Sequence, residues 1–271
     1  METEQGARDQ EGERGFFRWT IPLLWLIVIL SAVFAILIFI IPLDEYRLLG
    51  NFFEAAFALY CMACCLHLYR TVSDRLILLL AAFAFFSYAL STVFWYLYTI
   101  ALGRQFVFTT IAEFGFLCFF FFFIAAISIE FPDRGIPFST FVLFLLLFLT
   151  IPLAAGFATG FNQPVHLALL IILFLVIGLL VTTAVRHGVY HYTVLWAGIG
   201  LYCIAWMLYG IRETIFIVYP VPLFPGTAFT ASLTVYDFLS VIGPMIICSL
   251  ALIQIGLISY ITGRRNIPAS G

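Results

Sequence analysis

Eight apolar stretches, each about as long as a helix that crosses a bilayer, follow one another along this sequence. Crossing about 30 Å of hydrocarbon takes about 20 residues of α-helix, and backbone polar groups there must find partners within the helix. The composition agrees, because 64% of the residues are hydrophobic and 10% are charged. We predict an all-α integral membrane protein with eight transmembrane helices. They cover approximately 20–41, 51–69, 76–101, 108–129, 138–157, 165–185, 192–211 and 233–261.

The basic residues predict the orientation of the chain. All 12 are arginines, and an N-terminus in the cytoplasm leaves only Arg47, Arg104 and Arg212 outside. The others then lie inside: Arg8, Arg14, Arg18, Arg70, Arg75, Arg134, Arg186, Arg264 and Arg265. Cytoplasmic segments are enriched in basic residues, so this orientation is favoured. We expect a protein of the cell membrane with cytoplasmic tails at 1–19 and 263–271.

A weak internal repeat divides the membrane region into two four-helix halves, 20–131 and 132–262. In each half the third helix is rich in aromatic residues and ends at an arginine, Arg104 or Arg212. A polar Thr/Ser segment then leads to an acid near the start of the fourth helix, Glu113 or Asp237. Four helices per half make both halves enter the membrane from the same side, so the predicted pseudo-symmetry is parallel.

Ionisable residues in or beside the helices gather toward the predicted outer side. Such residues are costly in a membrane and usually face a partner or a water-filled cavity. Two interpretations stay open. The acids either pair with arginines and with helix N-termini, as in Arg104 with Glu113 and Arg212 with Asp237, or line a ligand or ion site between the halves. The candidate site residues are Glu113, Asp237, Arg104, Arg212, Glu213, Glu54 and His166.

Helix two has a narrow face of small and polar residues, which are Glu54, Ala58, Cys61 and Cys65. Small residues allow helices to pack closely in lipid, so we interpret this face as a packing surface. Cys61, Cys64 and His67 have a spacing that could suit a metal. A structural zinc site needs four convergent ligands, however, and no other stretch contains a second Cys/His cluster. We expect neither a metal nor another cofactor.

The order of these features resembles the eight-helix membrane sensory module at the N-terminus of many diguanylate cyclases and of histidine kinases, including archaeal ones. Residues that carry the resemblance are Arg75, Trp95, Phe106, Thr110, Ile111, Ala112, Glu113 and Phe120, with Asp237 echoing Glu113. The resemblance implies a signal-input function. Because no kinase or cyclase segment follows the last predicted helix, we expect the output domain on a separate protein.

Three classes of function remain open. The first and favoured one is a sensory or scaffold module without catalysis, whose partners are the bilayer and a separate kinase, cyclase or other membrane protein. The second is a transporter of ions or small solutes with a site between the halves. The third is an intramembrane enzyme, although no nucleophile, phosphate-loop or metalloprotease motif is found. A homo-oligomer stays open, and no nucleic-acid partner is expected.

The predicted orientation can be tested by cysteine labelling in intact cells. A membrane-impermeant thiol reagent should label a cysteine at Thr227, which lies in the predicted outer loop between helices seven and eight. It should not label a cysteine placed in the N-terminal tail. The reverse labelling pattern would overturn the orientation.

Overall fold

The computed structural model describes residues 2–37, 44–71, 75–102, 111–135, 137–158, 164–212 and 241–265. Within these ranges the chain forms eight α-helices and one short 3₁₀ turn, Val189–His191, and no strand. The helices are α1 (Glu2–Leu37), α2 (Asp44–Thr71), α3 (Leu76–Leu102), α4 (Ile111–Glu130), α5 (Phe138–Ala158), α6 (Pro164–Arg186), α7 (Thr193–Ile211) and α8 (Ile242–Arg265).

Six of the helices are long and apolar enough to cross a membrane, judged over the described part of the chain. These spans are Trp19–Ile36, Gly50–Thr71, Leu76–Leu97, Leu167–Arg186, Thr193–Ile211 and Ile242–Gly263. The apolar parts of α4 and α5 are shorter, at Phe114–Glu130 and Val142–Ala154. The all-helical, multi-pass architecture predicted from the apolar stretches is therefore confirmed.

The first two helices begin earlier than their apolar stretches. Helix α1 starts at Glu2, about 18 residues before the predicted span, and α2 starts at Asp44. The added segment of α1 contains four Glu, two Gln and three Arg, which are strong helix formers. A helix that leaves the hydrocarbon can therefore continue, because its backbone hydrogen bonds do not depend on the surrounding solvent.

Two helices lie at the periphery of the bundle. Helix α1 packs against α8, and α5 packs against α6. Both carry many exposed large apolar side chains, which suit contact with lipid, among them Leu23, Leu30, Leu143 and Leu147. The centre is aromatic and is formed mainly by α3, α4 and α7, with Phe85, Tyr88, Phe119, Phe120 and Tyr202 all fully buried.

Helices α2 and α8 run parallel and in register. The Sγ of Cys65 donates a hydrogen bond to Gln254 Oε1 at 3.2 Å, across 189 residues of sequence. Near the other end of the same contact, Glu54 lies against Gly243, a pair with the same separation in sequence. About three helical turns separate the two contacts along each helix. The small and polar face of α2 is thus buried, as the packing interpretation predicts.

Helices α7 and α8 approach closely through glycines. A Cβ atom added at Gly198 would lie 2.6 Å from the backbone nitrogen of Ile253, and one added at Gly256 would lie 2.5 Å from the Cα of Leu195. Backbone atoms cannot give way as a flexible side chain can. Close backbone approach through small residues is a main source of helix association in lipid.

We predict that Gly198→Ala destabilises the bundle, because the new methyl group would push α8 away from α7. Overpacking of this kind costs about 1 to 3 kcal/mol. Gly200→Ala is the matched control, since it lies on the same helix and a Cβ there meets nothing within 4 Å. Circular dichroism during titration with sodium dodecyl sulfate should show earlier unfolding for Gly198→Ala alone. Equal stability of the two variants would contradict the packing described here.

Candidate functional site

A single carboxyl group is buried near one end of the α2 span. Glu54 is 7% exposed and accepts a hydrogen bond from the Tyr88 hydroxyl of α3, with 2.8 Å between the oxygens. It lies four residues inside the span that begins at Gly50, or about 6 Å along the helix. The carboxyl group is therefore inside the apolar part of the bundle.

Gly243 makes room for this carboxyl group. A Cβ atom added at Gly243 would lie 2.9 Å from Glu54 Oε1. Gly243 is in the first turn of α8, which packs on α2. The absence of a side chain at this position lets α8 come close to the acid. Glu54 thus lies between α3 and α8, with Tyr88 on one side and Gly243 on the other.

Aromatic rings from two helices, α4 and α7, surround Tyr88. Its ring centroid lies 5.3 Å from that of Phe116 in α4 and 6.2 Å from that of Tyr202 in α7. Tyr202 in turn lies 4.3 Å from Phe119, and Trp206 lies 4.6 Å from Phe116. These are ordinary separations for packed aromatic rings. The rings hold Tyr88 in place and bring α4 and α7 into contact.

Two polar groups in this aromatic layer are buried without a hydrogen bond. Tyr202 is 0% exposed and Trp206 is 4% exposed. The Tyr202 hydroxyl and Trp206 Nε1 are neighbours, but neither has a partner in hydrogen-bonding geometry among the residues that the structure describes. Buried donors are nearly always paired in folded proteins, so each unpaired one requires an explanation. We refer to Glu54, Tyr88, Tyr202, Trp206 and Gly243 as the Glu54 centre.

Arg212 supplies a positive charge near this centre. It follows the last residue of α7 and interacts electrostatically with Glu54. Its guanidinium carbon lies 5.7 Å from the ring centroid of Tyr209, which is within the range of a cation–π contact. Arg212 is therefore held at the end of α7 that lies closest to the acid.

The contacts of Glu54 contribute less free energy than the removal of a carboxylate from water costs. A hydrogen bond to a charged group contributes about 1.5 to 3 kcal/mol. Removing a carboxylate from water costs several kcal/mol, and the interaction with Arg212 offsets only part of that cost. Ionisable groups inside membrane spans are commonly functional for this reason. The Glu54 centre is therefore the candidate functional site.

A second carboxyl group occupies the opposite end of the bundle. Glu130, the last residue of α4, accepts hydrogen bonds on Oε1 from Arg75 Nη1 at 2.5 Å and from the Tyr260 hydroxyl at 2.7 Å. Arg75 comes immediately before α3, and Tyr260 lies in the last part of α8. The ring of Tyr260 also packs on Phe131, with 4.8 Å between centroids. We call this region the Glu130 end.

The exposed connection after α4 is fixed by a further ion pair at the Glu130 end. Arg186 Nε donates to Asp133 Oδ1 at 2.9 Å, and its Nη2 donates to Oδ2. The hydrogen bonds from Arg186 and from the Gly135 backbone hold the pKa of Asp133 well below its usual range. This ion pair therefore stays intact at neutral and mildly acidic pH.

Two histidines of the α6–α7 turn hold the same connection. His187 Nδ1 donates to the Phe131 carbonyl at 2.5 Å. Arg134 Nη1 donates to His191 Nε2 at 2.6 Å, because a guanidinium has no acceptor. The end of α4, the end of α6 and the start of α7 are thus joined by polar contacts.

The structure places the predicted site residues as follows. Glu54 and Arg212 are described and interact. Glu113 and His166 lie in the first turns of α4 and α6, but their side chains are outside the description. Arg104, Glu213 and Asp237 lie outside the described residues. The pairings of Arg104 with Glu113 and of Arg212 with Asp237 therefore stay predictions. Within the described ranges, no three His, Cys, Asp or Glu residues are grouped as metal ligands.

The sequence interpretation missed Tyr88, which donates a hydrogen bond to Glu54, and the nearby Tyr202 and Trp206. All three lie in spans where aromatic residues are frequent, so nothing in the pattern distinguishes them. The contact of Arg75 with Glu130 was also missed, although a signal existed. The two residues are at the same end of consecutive antiparallel helices, and opposite charges placed so can meet.

Comparisons with models of known protein families, with curated proteins and with solved structures gave no match.

Proposed function

We propose that this protein is a signal-input module of the cell membrane, which passes a change at the Glu54 centre to a separate partner at the Glu130 end. Its two four-helix halves cross the membrane eight times, with both termini in the cytoplasm. It carries out no chemistry of its own. The observation that carries the proposal is that Glu54 and Glu130, at opposite ends of the bundle, both link α3 to α8.

The link at the Glu54 centre runs through α2. Helix α2 packs on both α3 and α8, and Glu54 contacts Tyr88 of one and Gly243 of the other. At the Glu130 end, Glu130 of α4 binds Arg75 before α3 and Tyr260 of α8. A change in the contacts of Glu54 therefore acts on the same two helices whose other ends meet at Glu130. This arrangement provides a physical route for a signal across the bundle.

The helix pairs support the proposed repeat. Helices α2–α3, α3–α4 and α2–α8 pack together. If the second half repeats the first, their counterparts are α6–α7, α7–α8 and α6–α4, and these pairs pack as well. The peripheral α1 and α5 are the first helices of the two halves. They differ in their neighbours, since α1 packs on α8 whereas α5 packs on α6.

Transport is the less favoured function. Transporter sites are often formed by interrupted helices near the midplane, and the sequence offers Pro152 and Pro244 as points of interruption. Helix α5 continues through Pro152. Pro244 lies in the first turn of α8, where its missing N–H costs no helical hydrogen bond. Within the described residues, neither proline interrupts a helix.

We expect Glu54→Gln to change the separation of α3 and α8 at the Glu130 end, because it alters the contact that links these helices at their other ends. Spin labels attached at Leu76 and Ser259, through an unnatural ketone amino acid that leaves the native cysteines in place, report this distance by pulsed electron resonance. A shift of about 1 to 2 Å is typical of helix movements in signalling proteins. The matched control is Phe53→Leu, an exposed neighbour of Glu54. An identical distance distribution in Glu54→Gln and wild type would contradict the relay.

The separate partner can be sought at the Glu130 end with a photo-crosslinker at Ser139, an exposed residue at the start of α5. We expect capture of a kinase or cyclase in the native host, with a yield that differs several-fold between wild type and Glu54→Gln. Solute uptake by proteoliposomes that Glu54→Gln abolishes would instead establish transport.

A further inference from the structure

Glu54 has more hydrogen-bonding capacity than its surroundings use. An ionised carboxylate accepts about four hydrogen bonds, whereas a protonated carboxyl group carries one O–H and accepts fewer. Among the described residues, the hydroxyl of Tyr88 is the one donor to Glu54. That bond reaches Oε2, while Oε1 lies beside Gly243. One donor leaves a carboxylate further from satisfied than a protonated carboxyl group, which accepts fewer hydrogen bonds.

Two donors in the Glu54 centre are left over among the described residues. The Tyr202 hydroxyl and Trp206 Nε1 are buried and form no hydrogen bond with any described residue. Tyr202 lies close enough to interact electrostatically with Glu54, and Trp206 is its neighbour one turn along α7. A carboxyl group that lost its proton would need donors, and these two groups are donors without an acceptor among the described residues. The centre therefore contains the groups for a second hydrogen-bonding arrangement.

The packing around the acid suits a very small ligand. The rings of Tyr88, Phe116, Phe119, Tyr202 and Trp206 contact one another with centroid separations of 4.3 to 6.2 Å. These are contact distances, so no organic molecule fits between these rings. A proton requires no cavity.

Among the described residues, the charged and titratable groups that face Glu54 come from two neighbouring helices. Tyr88 faces it from α3, and Tyr202 and Arg212 face it from α7. Helix α8 presents Gly243 there. The guanidinium of Arg212 keeps its charge at all pH values that a protein survives. Glu54 is therefore the group in this set that can change charge.

We infer that the Glu54 centre binds and releases a proton, and that release draws Tyr202 and Trp206 of α7 into hydrogen bonds with the carboxylate. On uptake, a proton from the aqueous phase forms an O–H bond at Glu54 Oε1. On release, that bond breaks, the proton returns to water, and the two α7 donors bond to the carboxylate oxygens. Nothing is oxidised or reduced.

Proton binding at Glu54 would be the input signal of the proposed function, and only its role as an input rests on that function. Infrared spectroscopy detects the proton on the acid directly, whether or not a signal leaves the bundle. The spin-label measurement detects the relay. Each test can therefore fail without the other.

The test follows the carbonyl stretch of a protonated carboxylic acid in phosphatidylcholine nanodiscs between about pH 5 and 9, the range in which buried carboxyl groups can titrate. Wild type should lose such a band as the pH rises. The band should be missing in Glu54→Gln and retained in Asp133→Asn, which alters an exposed acid. An unchanged difference spectrum in Glu54→Gln would overturn the inference.

Variants of the α7 donors keep the inference testable if Glu54→Gln fails to fold. Tyr202→Phe and Trp206→Phe remove donors that would stabilise the carboxylate, so the band should persist to a pH about one unit higher. Phe120→Leu, which alters a ring against Tyr202 that has no donor, should leave the midpoint unchanged. Equal midpoints in all three variants would overturn the role of α7. A midpoint that moves when sodium chloride replaces choline chloride would identify sodium, and not the proton alone, as the ligand.

Discussion

The hydrophobic effect does not drive apolar helices together inside a bilayer, because lipid tails are as apolar as a leucine side chain. Helix association therefore depends on close packing, including that of the aromatic centre, and on polar contacts between helices. The glycines at the α7–α8 crossing supply the first, with Gly198 against Ile253 and Gly256 against Leu195. The second is concentrated at two carboxyl groups, Glu54 and Glu130. Few other described side chains in the helices form hydrogen bonds from one helix to another.

The two carboxyl groups differ in how well they are satisfied. Glu130 lies at the end of the bundle, and its Oε1 accepts hydrogen bonds from both Arg75 and Tyr260. Glu54 is deeper among aromatic rings and receives one bond from the described residues, while donors on α7 stay unused. A satisfied contact fixes geometry, and an under-satisfied one can exchange partners. The contacts of Glu130 thus fix one end of the bundle, whereas those of Glu54 at the other end can change.

Much of the architecture follows from the sequence, because the length of an apolar run is enough to predict a membrane helix. The acid at Glu54 was also visible as a candidate, since any carboxylate in such a run is conspicuous. Its partners were not, because the rotation of each helix about its axis decides which of many tyrosines meets the acid. The internal repeat directed attention to Glu113 and Asp237. It gives no indication that Glu54 contacts Tyr88 and Gly243. The polar start of α1 could not be predicted either, because hydropathy indicates where a helix leaves the membrane and not where the helix begins.

The shared register of α2 and α8 restricts how the bundle can move. Glu54 meets Gly243 and Cys65 meets Gln254 with the same separation in sequence, so the two helices match over about three turns. A piston-like displacement of one helix along the other would place a larger side chain of α8 against the carboxyl group and would separate the thiol from the amide at the same time. A pivot about the Cys65–Gln254 contact keeps that hydrogen bond and the register, and it separates Glu54 from Gly243 at the acid end. The shared register therefore opposes sliding of one helix along the other and is compatible with a pivot.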